Sequence, residues 1–135
     1  MSARHTLTFT AGPEHIDLNG HVNNAVWVQW MEALATAHWL ADARPQDIEA
    51  FAWIVTRHEI DYRGNISEGE SVTGITEIRD PPRRARFDRY ITFVDALGKT
   101  VVRAKTTWAI IDRATGRLTR LTDEVAAPFM PRGGA

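Results

Sequence analysis

Residues 23–41 read Asn23-Asn-Ala-Val-Trp-Val-Gln-Trp-Met-Glu-Ala-Leu-Ala-Thr-Ala-His-Trp-Leu-Ala41, and this stretch decides the fold. It predicts one long helix that is apolar almost all round, because only Gln29, Glu32 and Thr36 cluster on a narrow polar stripe at 100° per residue. Such a helix is about 28 Å long at 1.5 Å per residue. It is too interrupted by polar side chains to span a membrane. The remainder of the chain is therefore expected to wrap around it.

Both ends of this helix carry boundary signals. Asn23 and Asn24 are cap candidates at its start, because their side chains can accept hydrogen bonds from free N–H groups. Asp42 and then Arg44-Pro45 mark its end, since proline disfavours a helical conformation in the residue before it.

The other segments predict strands. An alternating run precedes the helix, and four runs rich in β-branched and aromatic residues follow it. The runs cover residues 5–10, 51–63, 70–79, 85–95 and 99–112. Short turns rich in Gly, Pro, Asn and Asp separate the later runs, and such connections favour an antiparallel meander. A last short strand is predicted at 117–121.

The order of these elements predicts an α+β hotdog arrangement, in which a curved antiparallel sheet of about five or six strands wraps around one long central helix. The alternative is an α+β roll or cystatin-like sheet, which requires a more polar outer helix face. A length of 135 residues fits a single domain over 1–135. Proline and glycine residues near the C-terminus predict a flexible tail at about 128–135.

Composition narrows the classes of function. Sixteen basic and seventeen acidic residues nearly cancel, which argues against a nucleic-acid partner. The absence of cysteine excludes disulfides, thiolate nucleophiles and cysteine zinc sites, and His15, His38 and His58 lack the spacing of metal ligands. No apolar run predicts a signal peptide or membrane span, so a soluble cytoplasmic protein is expected.

Residues 17–24, Asp17-Leu-Asn-Gly-His-Val-Asn-Asn24, lie immediately before and at the start of the predicted helix. A carboxylate in such a loop can attack an electrophilic carbon or draw a proton from water. Hydrolysis of an acyl group also needs donors for the developing oxyanion. Asp17 is near enough in sequence to fold over the helix N-terminus, whose free N–H groups around 23–25 carry partial positive charge.

This stretch resembles the hotdog thioesterase superfamily, in particular the acyl-CoA and acyl-carrier-protein thioesterases of the 4-hydroxybenzoyl-CoA thioesterase type. The residues that carry the resemblance are Asp17, Gly20, His21, Val22, Asn23, Asn24, Trp27 and Glu32. The resemblance implies Asp17 as nucleophile or general base and the backbone N–H near Asn24 as oxyanion donor. It also implies an acyl-CoA or acyl-carrier-protein substrate, with coenzyme A as part of the substrate and no resident cofactor. A homodimer or homotetramer is expected.

Several of these residues have a structural alternative. Asp17 can form an Asx-turn, and His21 can fix the loop instead of transferring a proton. Asn23 and Asn24 can act as caps, with one of them also orienting substrate or water. Glu32 is expected to be buried and bonded to loop backbone or to lie at a dimer interface.

Other candidate substrate contacts lie within or beyond the motif. Gly20, Trp27 and Glu32 are predicted to contact substrate, although core packing explains a tryptophan equally well. Glu59 is a reserve catalytic carboxylate, with a salt-bridged strand face as the alternative. Arg83 and Arg84 belong to a group of five arginines around Pro81-Pro82 that suits the phosphates of coenzyme A or an acidic carrier protein. The same charges can instead protect a sheet edge.

Two other functions fit the same pattern. A hotdog dehydratase or hydratase would pair His21 with Asp17. A non-catalytic acyl-CoA-binding hotdog module would keep the pocket without the chemistry, since a fold does not determine a reaction.

Overall fold

The structure is a computed structural model that describes residues 3–131. It contains six strands and three α-helices within that range. The strands are β1 (Arg4–Thr10), β2 (Phe51–Tyr62), β3 (Ser71–Glu77), β4 (Arg86–Asp95), β5 (Thr100–Asp112) and β6 (Arg117–Leu118). The α-helices are α1 (Asn24–Asp42), α2 (Pro45–Ala50) and α3 (Asp123–Ala126), with 3-10 turns at Pro13–His15 and Ala127–Phe129.

The strands form one antiparallel sheet in the order β1-β3-β4-β5-β2, with β6 added beside β5. The predicted meander is confirmed for β3, β4 and β5. It is wrong for β2, because β1 and β4 already occupy both edges of β3. The chain therefore places β2 at the far edge, where it pairs with β5 over residues 51–62.

Irregular pairing helps the sheet to curve. The register between β2 and β5 shifts at 55–57, and that between β4 and β5 shifts at Phe93 and Val94. Such bulges bend a strand and increase its twist. The helix α1 lies against this sheet, nearest to β1 and β3. The architecture is the predicted α+β hotdog fold.

One face of α1 packs on the sheet. Its buried side chains are Val26, Trp27, Trp30, Met31, Leu34, Ala35, His38 and Trp39. Gly74 on β3 permits this packing, because a Cβ atom there would lie 2.8 Å from Phe93 and 3.2 Å from Leu34. The opposite face of α1 is exposed and includes the predicted polar stripe together with Ala33 and Leu40. The chain's own sheet therefore covers only one side of the helix.

The end of the chain differs from the prediction. Pro128 and Phe129 are buried in the 3-10 turn, and Phe129 stacks on Trp39 at a centroid distance of 5.5 Å. The predicted flexible tail is therefore wrong at 128–130, because an apolar side chain anchors this segment to α1. The rest of the predicted tail, 132–135, lies outside the described residues.

Candidate active site

A short reverse turn presents Asp17. Ile16 and Val22 form an isolated antiparallel bridge, the Asp17 N–H donates to the His21 carbonyl at 3.0 Å, and the Gly20 N–H donates to the Asp17 carbonyl at 3.0 Å. Gly20 has φ +79°, a left-handed conformation that glycine adopts without strain. The turn therefore places Asp17 opposite His21, close in the chain to the start of α1.

The Asp17 carboxylate is held by its own loop. Its Oδ1 accepts a hydrogen bond from the Asn19 N–H at 2.8 Å, so the Asx-turn considered as its structural role is present. The carboxylate is partly exposed, and within residues 3–131 its Oδ2 receives no hydrogen bond. One oxygen thus fixes the side chain while the other remains available.

The N-terminus of α1 has one unsatisfied donor. The Asn23 N–H donates to the His15 carbonyl at 3.0 Å, and the Val26 N–H donates to the Asn23 carbonyl at 2.9 Å. Asn23 is the N-cap, and its Oδ1 accepts from the Ala25 N–H at 2.8 Å. Of the first four N–H groups, only that of Asn24 lacks an acceptor among the described residues. It is a donor at the positive end of the helix dipole.

Two residues that the sequence did not single out hold this loop in place. Asn65 donates from Nδ2 to the Val22 carbonyl at 3.1 Å, and Tyr62 donates from its hydroxyl to the Asn24 carbonyl at 3.3 Å. Burial raises the pKa of Tyr62, which keeps the phenol protonated as a donor. Their proximity to the loop depends on tertiary packing, and no local pattern could have shown it.

The remaining motif residues divide between surface and core. The His21 ring is exposed and makes no hydrogen bond to any described residue; its carbonyl is what stabilises the turn. Trp27 is 0% exposed and packs edge-to-face on Trp30 and Phe93. This burial supports the core-packing alternative, and contact of Trp27 with substrate stays a prediction. Glu32 is exposed, so it is not buried against the loop backbone of its own chain, and its alternative place at a dimer interface stays a prediction.

Glu59 lies apart from the loop. Its neighbour Ile60 packs against the apolar core, and adjacent side chains on a strand face opposite ways, so Glu59 faces away from α1. Its carboxylate pairs with Arg57 at 2.7 Å and lies in register with Lys105. The salt-bridged alternative is the one that the structure supports.

The five arginines around Pro81-Pro82 do not form a uniform basic patch. Arg79 pairs with Glu77, and Arg83 binds both oxygens of Asp88 at 2.9 and 3.2 Å. Arg89 is buried at 3% exposure. The exposed members without an ion pair in the described part of the chain are Arg84 and Arg86. Arg84 has φ +56°, and its carbonyl accepts from the Leu121 N–H.

Residues 3–131 contain no group of three or more histidine and carboxylate side chains positioned to hold a metal ion. None of their helices combines the length and the apolar character needed to cross a bilayer.

Solved structures share this fold. An acyl-ACP thioesterase from Bacteroides thetaiotaomicron VPI-5482 has a TM-score of 0.80 and 20% identity over 96% of this chain and 54% of its own. SAV2348 from Staphylococcus aureus, a hypothetical protein in complex with CoA, has a TM-score of 0.79 and 18% identity over 91% of this chain and 79% of its own. Slr0204, a 1,4-dihydroxy-2-naphthoyl-CoA thioesterase from Synechocystis, has a TM-score of 0.79 and 16% identity over 93% of this chain and 95% of its own. The chain thus spans about half of the Bacteroides enzyme.

Sequence comparison gives the family. No curated protein matches the sequence. A family model described as the thioesterase-like superfamily matches residues 11–129. This match covers most of the sequence. It includes the turn of Asp17, the N-terminus of α1 and the five strands β2 to β6. The chain therefore belongs to the thioesterase-like superfamily.

Proposed function

We propose that the protein hydrolyses an acyl thioester of coenzyme A or acyl carrier protein. The observation that carries this proposal is the combination of a fixed carboxylate in the turn that leads into α1 and an unsatisfied donor at the N-terminus of that helix. Asp17 keeps Oδ2 available while Oδ1 is bonded, and the Asn24 N–H has no acceptor among residues 3–131. Thioesters of both carriers are named for proteins that share the fold.

The chemistry assigned to each group follows from its electronic character. The Asn24 N–H would bind the thioester carbonyl oxygen and stabilise the negative charge that develops there. Asp17 Oδ2 would either attack the acyl carbon, giving an anhydride and a thiolate, or take a proton from the water that attacks it. On either route the C–S bond breaks, the thiolate takes up a proton, and one water molecule is consumed to give the free acid.

A thiol-release assay with short, medium, long and aromatic acyl-CoAs tests this proposal. Asp17→Asn and Asp17→Ala should lower kcat/KM by at least about 10²-fold, the usual contribution of a positioned base or nucleophile. Asp95→Asn is the matched control, because Asp95 also accepts backbone N–H groups in a turn, from Leu97 and Lys99. Its kcat/KM should stay within about threefold of wild type.

Two outcomes would overturn the assignment. Wild-type protein that binds acyl-CoA saturably without releasing thiol would be a binding module, and Asp17→Asn with wild-type activity would remove Asp17 from the chemistry. Single turnover in ¹⁸O-water separates the two routes, because general-base catalysis puts the label into the acid product. The nucleophilic route, with water attacking the aspartyl carbonyl of the anhydride, leaves the label in Asp17.

We also propose that the protein acts as a homodimer. Among the strands of residues 3–131, β2 pairs on one side only, with β5, and it is 12 residues long. An unpaired edge of this length is a template for another strand. Ile54 on β2 and Leu40 on the outer face of α1 are 47% and 57% exposed. A second copy that pairs through β2 would extend the sheet and cover apolar surface of this kind.

A further inference from the structure

A second set of polar groups lies beneath the C-terminal half of α1. Two adjoining pockets there share the walls Trp39, Trp53, Phe87 and Arg89. One of the two pockets is also lined by Thr36 and Trp108, and we refer to it as the Arg89 pocket. Its volume is about 280 Å³, including its open mouth. Thr36 is 12 residues beyond Asn24, about 18 Å along the helix axis. This pocket is therefore distinct from the site at the helix N-terminus.

Arg89 gives the pocket a buried positive charge. Its Nη1 donates to His38 Nδ1 at 2.8 Å and to Thr76 Oγ1 at 3.3 Å. No carboxylate of residues 3–131 forms an ion pair with it, and Nε and Nη2 receive no acceptor from that range. Burial lowers the pKa of Arg89 to about 9, so the guanidinium is still charged at neutral pH.

The partner of Arg89 does not neutralise it. A guanidinium only donates hydrogen bonds, so Nδ1 of His38 must accept the hydrogen bond from Arg89. The ring proton of His38 therefore lies on Nε2. That nitrogen is 3.3 Å from Asp42 Oδ2. The imidazole is thus neutral and separates the carboxylate from the guanidinium. A buried cation normally has a direct anionic partner, and here residues 3–131 supply none within hydrogen-bond distance.

The pocket has further donors without acceptors. The indole N–H groups of Trp53 and Trp108 are buried and make no hydrogen bond to any described residue, and both side chains line the Arg89 pocket. Buried polar groups are bonded in the great majority of cases. Three donor-bearing side chains around one apolar pocket therefore call for a ligand that brings hydrogen-bond acceptors and a negative charge.

We propose that the Arg89 pocket binds a small carboxylic acid with an apolar body the size of one ring. Its carboxylate would lie against Arg89 and accept from the tryptophan N–H groups, while Trp39 and Phe87 surround the apolar body. A carboxylate suits the planar donor fork of arginine. A phosphate would need more polar surroundings than these aromatic walls, and a hydrocarbon would leave every donor unpaired.

Isothermal titration of the full chain with benzoate tests this site without any thioester. Benzoate should bind saturably, and benzyl alcohol, which keeps the ring but lacks the charge, should bind at least about tenfold more weakly. Arg89→Met should lower the affinity for benzoate by at least about tenfold. Thermal stability of this variant should be retained or raised, because a buried charge replaced by an apolar side chain of similar volume is often stabilising. Asp17→Asn should leave benzoate affinity unchanged, since the two sites are separate.

The tryptophans provide a matched set of variants that does not depend on Arg89. Trp53→Phe and Trp108→Phe each remove one buried N–H from a side chain that lines the pocket. Each should lower the affinity for benzoate about threefold or more. Trp27→Phe removes an equally unpaired buried N–H that does not line it, and should leave the affinity unchanged. Absence of benzoate binding would overturn the proposal. The proposal would also fail if benzyl alcohol bound as tightly as benzoate or if Arg89→Met kept the wild-type affinity for benzoate. A loss of benzoate affinity in Trp27→Phe equal to that in Trp53→Phe and Trp108→Phe would overturn it as well.

Discussion

At Asp17 a structural and a chemical role are compatible. The Asx-turn uses Oδ1 and limits the rotation of the carboxylate, so the remaining oxygen is held in one direction. A flexible carboxylate would have to lose side-chain entropy on binding substrate. The hydrogen bond that makes Asp17 a turn residue would thus also prepare it for the proposed catalytic role.

The two asparagines at the start of α1 differ in what they contribute to stability. Asn23→Ala removes the cap on the Ala25 N–H and should lower the free energy of unfolding by about 1 kcal/mol, measured by urea denaturation. Asn24→Ala is the control, because its side chain makes no hydrogen bond to residues 3–131, and it should stay within about 0.5 kcal/mol of wild type. Equal losses in both variants would contradict this assignment of the cap.

Asp88 makes stability depend on pH. Burial alone would raise its pKa, but hydrogen bonds from Arg83 and Thr107 and the charges of Arg83 and Lys105 lower it on balance. A lowered folded-state pKa means that this stabilisation is complete above the unfolded value of about 3.9. It is lost as the pH falls through the folded value.

Urea denaturation between about pH 2 and 7 checks this dependence. Asp88→Asn should lower the free energy of unfolding by about 1 kcal/mol at pH 7, a modest loss because Arg83 is half exposed. The deficit should shrink as the pH falls. Glu68→Gln, at an exposed residue without an ion pair in the described structure, should follow the wild-type curve. A deficit that is constant with pH would refute this role for the Asp88 charge.

Among the secondary-structure elements, β3 limits how closely α1 can approach the sheet. Gly74→Ala would put a Cβ atom 2.8 Å from Phe93 and 3.1 Å from Phe9, and should lower the free energy of unfolding by about 1–3 kcal/mol through overpacking. Thr73→Ala is the control, because its side chain faces the other side of β3. Equal unfolding temperatures for Gly74→Ala and wild type would show that the helix shifts freely.

The periodicity of the sequence predicted the secondary-structure elements better than it predicted which strands pair. The long helix and the five longer strands lie within one or two residues of their predicted bounds, because alternation and the apolar stretch are local properties. The partner of β2 was missed, since it depends on which strand already fills each edge of β3. Pro45 was interpreted only as a helix terminator, yet it also begins α2 as its first residue, a position that proline favours.

The candidate site was predictable only where its residues are contiguous. Asp17, Asn23 and Asn24 lie in one motif next to a helix start, so chemistry and sequence indicated the same segment. Tyr62 and Asn65 reach that segment across some 40 residues of chain through folding alone. The role of Trp27 could not be decided from the sequence, because an apolar side chain in a sequence does not reveal whether it lines a pocket or fills the core.

For the whole molecule, the exposed edge of β2 predicts the state of association. Light scattering should give about 30 kDa, twice the 15.2 kDa of one chain. Ile54→Lys should raise the dimer dissociation constant at least about tenfold by placing a charge beside the shared edge. Leu97→Lys changes an equally apolar and more exposed residue, in the turn between β4 and β5, and should leave the mass unchanged. A wild-type mass near 15 kDa would contradict the dimer.

The aromatic pairs along α1 also give the protein an optical signature in two parts. Trp27 and Trp30 lie edge-to-face at 5.2 Å, and Trp39 and Trp53 do so at 5.4 Å. Indoles fixed at such separations produce near-ultraviolet circular dichroism, which disappears when side-chain packing is lost while helices and strands persist. The first pair lies in the core behind the start of the helix, and the second lies at the Arg89 pocket. A tryptophan-to-phenylalanine substitution in one pair would leave the signal of the other pair, so each half of the molecule can be followed in turn without attaching any label.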